Sequence, residues 1–307
     1  MSGKRIVITG ATGLIGRLLC AALKNLGHEV IVFTRNIDTA GKVLPFISRF
    51  VEWNYSKPAL WQNEINGMDA VIHLAGANVF GKRWNDNYKK IILESRAVAT
   101  RNLSQAINGI KEKPEVFICS SAVGYYGNRG NDIITEDSLP GNDFLADVCK
   151  SWEKEASIVE SSGVRRVSIR TGIVLSADDG ALKKMLMPFK LFIGGPLGSG
   201  KQWFPWIHIE DLIRIYLFAL ENKDISGAVN AASPNPVTMN EFAKTLGETL
   251  NRPLLFSVPE FALKLAVGEG ARPILASQKI IPQKLIDNSF EFSYNKLKPA
   301  LVSLVLK

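Results

Sequence analysis

Three glycines at three-residue intervals, Gly10, Gly13 and Gly16, separate a β-branched run at residues 6–9 from an apolar helical pattern at residues 14–26. In a strand-turn-helix unit, the first glycine permits a tight bend and the second lets the main chain approach a pyrophosphate. The third lets the helix pack closely on the strand, and the pyrophosphate binds at the helix N-terminus. The spacing therefore predicts a dinucleotide-binding turn. Its predicted contact residues are Gly10, Thr12, Gly13, Leu14, Ile15 and Gly16.

The end of the second predicted strand indicates which dinucleotide binds. Residues 30–33 form an apolar run, and Arg35 follows two residues later. An enzyme that uses NAD usually carries an acid at this place to hold the ribose hydroxyls, whereas a guanidinium binds a 2′-phosphate with paired, charge-assisted hydrogen bonds. Arg35 therefore predicts NADP as the cofactor. The alternative is that Arg35 is only solvated and that Asp38 holds the ribose.

A further apolar run, residues 70–74, leads into Ala75 and Gly76. Small residues at the carboxyl edge of a parallel sheet let a dinucleotide lie close to the main chain. We therefore expect Leu74, Ala75 and Gly76 to contact the cofactor near its adenosine and ribose. His73 lies in the same run, and we expect it to pack within the strand rather than to take part in catalysis.

Apolar runs alternate with amphipathic helical patterns along the first half of the chain, which predicts an α/β fold with a Rossmann-type, doubly wound parallel sheet. After about residue 171, glycine and proline break the chain into shorter elements. We expect an NADP-binding domain at residues 1–170, rejoined by parts of residues 207–232, and a smaller C-terminal substrate-binding lobe at residues 171–307. The apolar runs are residues 6–9, 30–33, 70–74, 116–119 and 167–169.

Composition and charge narrow the class of protein. The net charge of +8 favours an anionic ligand, but the 37 lysines and arginines are spread along the chain, so nucleic acid is not an expected partner. No uncharged apolar stretch approaches the ~18 residues of a membrane span, and residues 1–5 leave no room for the start of a signal peptide. Three cysteines without metal-ligand spacing indicate reduced thiols and no metal site. We expect a cytoplasmic protein that does not bind membranes. The sequence gives no prediction of its oligomeric state.

Seven short motifs occur in order along the chain, at residues 10–16, 74–76, 82–85, 95–96, 120–127, 206–211 and 277–282. On these motifs, nearly the whole chain resembles the extended short-chain dehydrogenases/reductases. Within them it is similar to the branch of nucleoside-diphosphate-sugar epimerases, and the tail from about Arg252 looks like the C-terminal segment of that branch. The resemblance implies a Rossmann domain, a nicotinamide cofactor and a substrate cleft over the second lobe.

In that superfamily, a Tyr-x-x-x-Lys pair transfers protons, and the lysine also holds the nicotinamide ribose. By this resemblance Lys150 matches the lysine, but Ala146 occupies the place of the tyrosine. We expect Lys150 to bind the ribose, the alternative being a solvated helix lysine. Tyr294 and Lys298 have the same spacing, but they lie far along the chain from the relevant strand edge, and we attribute their spacing to chance.

Two tyrosines beyond the strand at residues 116–119 could replace the missing acid/base. Tyr125 and Tyr126 follow Ser120 and Ser121, at the place where the superfamily keeps its substrate-binding serine. The resemblance favours Tyr126, because a tyrosine commonly precedes the glycine of this loop. The alternative is that both phenols only form a wall of the cleft. The predicted catalytic residues are Tyr126, Tyr125, Ser121 and Lys150.

The predicted second lobe contains a glycine-rich, aromatic segment at residues 194–206. This segment either covers a planar or phosphorylated ligand, such as a nucleotide sugar, or is a packed lid between the lobes. Arg170, at the end of a predicted strand, is either a cleft residue or a member of an ion pair. Asp211 is expected to lie at the start of a helix rather than to act as a catalyst.

Together, these residues predict an NADP-dependent oxidoreductase or an enzyme similar to sugar-nucleotide epimerases. Hydride would move between the nicotinamide and a carbinol or carbonyl carbon of a small, anionic substrate. Epimerisation would further require a tightly held cofactor that returns the hydride to the other face. The competing hypothesis is an NADPH-binding regulatory or scaffolding protein without turnover, and Ala146 is the main observation in its favour.

Overall fold

Strands alternate with helices through most of the chain in the computed structural model, which describes residues 3–254 and 256–306. The strands are β1 (Arg5–Thr9), β2 (Glu29–Thr34), β3 (Arg49–Glu52), β4 (Ala70–His73), β5 (Val116–Ala122), β6 (Ile133–Ile134), β7 (Arg165–Thr171), β8 (Ile173–Leu175), β9 (Trp203–Phe204), β10 (Trp206–His208), β11 (Gly227–Ala231), β12 (Val237–Thr238) and β13 (Lys279–Ile280). The helices are α1 (Leu14–Asn25), α2 (Ile37–Val43), α3 (Asp86–Gly109), α4 (Phe144–Ala156), α5 (Gly180–Lys190), α6 (Ile209–Glu221), α7 (Met239–Leu250), α8 (Glu260–Val267), α9 (Ala271–Leu275), α10 (Gln283–Asp287) and α11 (Leu297–Val305). Short 3₁₀ turns lie at Pro58–Leu60, Gln62–Ile65, Val123–Tyr126, Ser157–Ser162 and Gly268–Gly270.

A parallel sheet forms the centre of the fold, with the strand order β3-β2-β1-β4-β5-β7-β11. The order runs outward from β1 in both directions, which is the arrangement of a doubly wound sheet. The predicted Rossmann-type α/β fold is therefore confirmed. The last strand of the sheet, β11, joins it after the chain has left the sheet at β7 and passed through α5 and α6.

Both faces of the sheet are covered, because successive strand residues point to opposite sides. In β1, Ile6 and Ile8 pack in one apolar core with α1 and α6, whereas Val7 packs in a second core with α3 and α4. Leu19 and Leu23 of α1 are completely buried in the first of these cores. Only the carboxyl ends of the strands and the loops beyond them are left to form a ligand site.

A third apolar core holds α5, α7 and α11 together beyond the sheet. Phe204 of β9 and Phe242 of α7 meet in it, with ring centroids 4.5 Å apart. Thr238 and Glu241 form a capping box that fixes the start of α7. α5, α7 and α11 therefore share an apolar core of their own.

The C-terminal tail is hydrogen-bonded to the buried carboxylate of Asp211 in the sheet domain. Asp211, in the first turn of α6, accepts hydrogen bonds from the main-chain N–H groups of Ser293 (2.8 Å) and Tyr294 (2.9 Å). The Tyr294 ring stacks on His208, with ring centroids 3.7 Å apart. Asp211 thus lies at the start of a helix, as expected, and Tyr294 packs in this anchor.

Within residues 3–254 and 256–306, no helix is both long and apolar enough to cross a bilayer. The same residues contain no cluster of histidine, cysteine and acidic side chains that could hold a metal ion. Cys20, Cys119 and Cys149 are buried free thiols.

Candidate functional site

The glycine turn between β1 and α1 has the tight packing that its spacing predicts. A Cβ atom on Gly10, whose φ is +70°, would lie 2.7 Å from the main-chain nitrogen of Ala75. A Cβ atom on Gly16 would lie 2.5 Å from the Gly10 carbonyl oxygen. Gly13 is exposed and its Cβ position meets only that same oxygen, at 3.4 Å. The turn is therefore closed towards the protein and open towards solvent at Gly13.

The N-terminus of α1 opens onto the same turn. Thr12 and Gly13 are exposed, and Leu14 and Ile15 are half-buried. Gly13 occupies the N-cap without a side-chain hydrogen bond, and N–H groups in the first turn of a helix have no intrahelical acceptor. The start of α1 thus presents main-chain N–H groups at an exposed glycine turn, which is the kind of site where helices bind phosphate groups.

The carboxyl end of β2 presents the residues that would discriminate between dinucleotides. Arg35 directly follows β2 and is exposed, as is Asp38 in the first turn of α2. Asn36 caps α2 by accepting a 2.8 Å hydrogen bond from the Thr39 N–H. The structure places both candidate groups at this edge of the sheet.

The loop after β4 contacts the glycine turn directly. Thr9 joins the two segments, because its carbonyl accepts the Leu74 N–H (3.2 Å) and its hydroxyl accepts the Ala75 N–H (3.3 Å). Gly76 packs on Arg96, whose guanidinium carbon lies 3.1 Å from the Gly76 Cβ position. The predicted cofactor residues at β4 and at the glycine turn therefore form one continuous surface.

His73 is a packed strand residue, as the sequence indicates. Its Nδ1 lies 2.6 Å from the Thr9 hydroxyl, and its ring stacks on Phe117 and meets the edge of Trp53. Burial, assisted by the charge of Arg96, lowers the pKa of His73 to about 3. The ring is therefore neutral at physiological pH and has no access to a ligand.

Tyr126 lies in a closed hydrogen-bond network behind the carboxyl end of β5. Its side chain is completely buried; the hydroxyl accepts a hydrogen bond from Arg170 Nη1 (2.8 Å) and donates one to Asn230 Oδ1 (2.7 Å). Burial raises the pKa of Tyr126 to about 12. The geometry thus argues against our sequence-based preference for Tyr126, because its hydroxyl is already paired and shielded from ligands.

Ser121 belongs to the same network. Its hydroxyl donates a 2.6 Å hydrogen bond to Glu153 Oε1, and Glu153 also forms a two-point ion pair with Arg170, with both N···O distances at 2.8 Å. Burial lowers the pKa of Arg170, but the hydrogen bonds and charge of Glu153 outweigh it and raise that pKa overall. Arg170 is therefore a member of an ion pair, and Ser121, only 4% exposed, supports that pair instead of facing a ligand.

Tyr125 is the more accessible of the two adjacent phenols. It is half-buried, and its ring lies between the Arg170 guanidinium, 3.5 Å from the ring centroid, and the edge of Tyr126, 5.3 Å between centroids. Its carbonyl accepts a hydrogen bond from the Gly141 N–H (2.9 Å). Among the described residues, no side chain or main-chain group pairs with the Tyr125 hydroxyl.

Helix α4 carries the lysine predicted at the site. Cys149, the residue before it, lies against the end of β5, with its Sγ 3.7 Å from the Ala122 carbonyl oxygen. Lys150 is 40% exposed and pairs with Asp147 at 2.7 Å. Ala146 is completely buried and provides no polar group. Helix α4 thus packs on the end of β5 through Cys149, and no tyrosine precedes Lys150 by one helical turn.

The segment at residues 194–206 is a packed element, which favours the lid interpretation over an open ligand loop. Gly200 fits against the side chain of Asn240, whose Oδ1 would lie 1.8 Å from a Cβ atom on that glycine. A Cβ atom on Gly198 would lie 2.4 Å from Leu275. Gln202 is buried and donates to the Leu197 carbonyl at 2.7 Å.

Three residues of the site escaped the sequence interpretation, namely Glu153, Asn230 and Gln278. Glu153 offered a local signal, because it lies three residues after Lys150 and so shares a helix face with it. Asn230 and Gln278 gave no such signal, since they reach the β5 turn from more than 100 residues away in sequence.

Two family profiles match different parts of the chain. The profile of the NAD dependent epimerase/dehydratase family matches residues 6–232, and that of a domain of unknown function, DUF1731, matches residues 258–304. The epimerase family protein YfhF of Bacillus subtilis is 40% identical over 98% of this chain and 97% of its own length. A chloroplastic homologue of SDR39U1 from Arabidopsis thaliana is 39% identical over 98% of this chain and 86% of its own length.

Solved structures agree with these matches. Human epimerase family protein SDR39U1, crystallised with NADPH, has a TM-score of 0.90 and 32% identity, with 99% of each chain covered. UDP-glucuronic acid 4-epimerase from Bacillus cereus, solved with UDP-glucuronic acid and NAD, has a TM-score of 0.74 over 98% of this chain and 97% of its own. Its 21% identity supports a shared fold alone.

Proposed function

This chain belongs to the NAD dependent epimerase/dehydratase family, and on that basis we propose that it is an NADP-dependent oxidoreductase or epimerase. Its reaction would take place at a carbinol or carbonyl carbon of a small, anionic substrate. The observation that carries this proposal is the continuous surface formed by the glycine turn and the loop after β4. A dinucleotide on that surface would extend from Arg35 towards Tyr125 and Lys150.

The cofactor we propose is NADP. The N–H groups of Leu14 and Ile15 would bind the pyrophosphate, and the exposed Arg35 would bind the 2′-phosphate. The NADPH in the human relative supports this choice, whereas the Bacillus cereus epimerase holds NAD. If Asp38 holds the ribose instead, the cofactor is NAD.

When bound, the nicotinamide gives or accepts a hydride at the reacting carbon. The chain must then exchange a proton with the substrate oxygen, and we assign this step to the Tyr125 hydroxyl. Tyr125 is half-buried and follows the end of β5, whereas Tyr126 and Ser121 are buried and their hydroxyls are already hydrogen-bonded. Lys150 would leave its surface partner, Asp147, to bind the nicotinamide ribose and add positive charge.

The substrate class that we propose is a nucleotide sugar or a similarly anionic carbonyl compound, bound between the sheet and residues 171–307. The net charge of +8 and the nucleotide-sugar ligands of structurally similar epimerases support it. A second function is favoured by one observation: Ala146 is buried where the superfamily has its tyrosine. On that alternative the chain binds NADPH for regulation and does not turn substrate over.

Nicotinamide absorbance separates these functions. Purified protein with NADPH is mixed with a panel of UDP-sugars, dicarbonyls and keto acids, and with NADP for the corresponding alcohols. Cofactor oxidation or reduction that depends on a panel member supports the oxidoreductase, and a product epimer detected by NMR without net cofactor change supports the epimerase. Tight NADPH binding with neither result supports the regulatory protein, and failure to bind either dinucleotide contradicts both functions.

A further inference from the structure

The turn that carries Tyr125 is a short 3₁₀ element at the end of β5. It is a four-residue 3₁₀ turn, Val123–Tyr126, and at its end the Gly127 N–H donates a hydrogen bond to the Gly124 carbonyl (3.2 Å). Gly127 ends it with a φ of +62°. Because 3₁₀ turns of this length have poor hydrogen-bond geometry, their conformation depends on neighbouring groups.

Gln278, from the segment that matches DUF1731, supplies that support. Its buried carboxamide nitrogen donates to the Val123 carbonyl (2.8 Å) and to the Gly127 carbonyl (2.9 Å). These carbonyls lie at the two ends of the turn, and the side-chain NH₂ group has two hydrogens. One amide therefore links both ends of the turn and uses its full donor capacity.

The residues around Gln278 are fixed to the same part of the sheet domain. The Ser277 N–H donates to Asn128 Oδ1 (3.0 Å), and its carbonyl accepts the Arg129 N–H (2.9 Å). β13 then pairs with β6. Asn230 Oδ1 accepts the hydrogen bond from the Tyr126 hydroxyl, and the side-chain NH₂ group of Asn230 donates one to the Ile281 carbonyl (3.2 Å). The C-terminal segment thus holds the turn from both sides.

We propose that this C-terminal segment serves to position the Tyr125 turn, and that Gln278 is its positioning residue. Gln278 does not contact the reacting atoms in this proposal; it acts through the main chain of the turn. The inference rests on the proposed function only for its catalytic consequence. The positioning itself can be tested without a substrate.

Two substitutions remove the paired donors while keeping the size of the side chain. Gln278→Met has no donor, and Gln278→Glu turns carboxylate oxygens towards two carbonyls. Gln283→Glu is the matched control, because Gln283 is an exposed residue of the same segment whose amide bonds Asp287 (2.8 Å). Each full-length variant is treated with tetranitromethane, and nitration of individual tyrosines is followed by peptide mass spectrometry.

In the wild type, we expect Tyr125 to react and the buried Tyr126 to be protected. Loss of the Gln278 donors should raise nitration of Tyr126 at least tenfold, while Tyr216, completely buried on another face, stays protected. A rise at Tyr126 and Tyr216 together means global loosening and overturns the proposal. No rise at Tyr126 also overturns it.

The catalytic consequence has its own measurement. With any panel substrate of the wild type, we expect kcat of Gln278→Met to fall at least tenfold while the Kd for NADPH stays within twofold. An unchanged kcat overturns the catalytic role. If the wild type turns over no substrate, the proposed oxidoreductase fails, and the nitration pattern still decides whether Gln278 positions the turn.

Discussion

The guanidinium carbon of Arg170 lies over the Tyr125 ring, 3.5 Å from its centroid, while Nε and Nη2 form a two-point ion pair with Glu153. Arg170 and Glu153 are almost fully buried, with side-chain exposures of 5% and 12%. Burying two charges costs solvation free energy, which an ion pair recovers only with good geometry and further hydrogen bonds. Here Ser121 donates to the carboxylate and the guanidinium donates to Tyr126, so the pair is well satisfied.

Replacing Glu153 with Gln should destabilise the protein strongly. The substitution leaves the Arg170 charge buried beside a neutral amide, and breaking a buried pair in this way costs about 3–5 kcal/mol. Urea unfolding of the variant, with the free energy of unfolding extrapolated to water, measures the effect. The control is Glu160→Gln, which removes a more exposed partner of Arg166 and should cost less than about 1 kcal/mol. Equal losses in the two variants would contradict a special role for the buried pair.

Two glycine-to-alanine changes should have opposite effects on stability. In Gly16→Ala the new methyl group would meet Gly10 and Ala11 main-chain atoms at 2.5 to 2.8 Å, so the glycine turn must shift. We expect a loss of about 2 kcal/mol or more, together with weaker NADPH binding. Gly41→Ala, in α2, meets no atom within 4 Å and should raise the free energy of unfolding by up to about 1 kcal/mol. Thermal unfolding of both variants tests the pair, and a stable Gly16→Ala protein with normal NADPH affinity would argue against the tight turn.

Local sequence signals predicted the tight packing of the glycine turn and the small residues that lie against it. The glycine turn depends on spacing within seven residues, and the small residues at Ala75 and Gly76 follow directly from a strand ending. Both are short-range requirements of backbone packing, so they are visible in the sequence itself.

The environment of the predicted catalytic residues depends on hydrogen bonds between residues that are far apart in the sequence, and no local pattern reveals these. Ser121 meets Glu153 across 32 positions, and Tyr126 meets Asn230 across 104. Family resemblance favoured Tyr126 by its place before a glycine, but burial depends on which distant side chains close around it. The sequence allowed Arg170 to be either a cleft residue or a member of an ion pair. The position of Glu153 in the fold shows that it is the ion pair.

Arg35 should control the choice of dinucleotide. A charge-assisted hydrogen bond is worth about 1.5–3 kcal/mol, so Arg35→Ala should weaken NADPH binding by about 10- to 100-fold and leave NADH binding unchanged. Isothermal titration with both dinucleotides measures the two affinities. Lys42→Ala removes an exposed cation from the last turn of α2 and is the matched control for general charge. If the wild type binds NADH as tightly as NADPH, the NADP assignment is wrong. In that case Asp38→Ala should weaken the binding of NADH.

His73 should make stability fall in mild acid. Its pKa is about 3 in the folded protein against an ordinary value of 6.5, so between these pH values the unfolded chain binds a proton that the folded protein excludes. Lowering the pH therefore favours unfolding, by up to about 1.4 kcal/mol per pH unit for one group.

The measurement is the free energy of unfolding from pH about 7.5 to about 5 for the wild type and His73→Phe. We expect the wild type to lose about 2 kcal/mol more than the variant over this range. Thr9→Val removes the hydrogen bond to His73 Nδ1 but keeps the titrating ring, so it should retain the wild-type slope. Identical slopes for wild type and His73→Phe would show that the ring does not stay neutral on folding.

Tyr125 and Tyr126 should differ in what their hydroxyls do. Tyr125→Phe keeps the ring under Arg170 and removes only the hydroxyl, so we expect kcat on a panel substrate to fall about 10²–10⁴-fold at unchanged stability, the usual range for a lost acid/base. Tyr126→Phe removes the hydroxyl that accepts from Arg170 Nη1 and donates to Asn230 Oδ1, so we expect it to cost about 1–3 kcal/mol of stability. Parallel kinetics and urea unfolding test both variants. Unchanged kcat in Tyr125→Phe, with a large loss in Tyr126→Phe at full stability, would return the proton-transfer role to Tyr126.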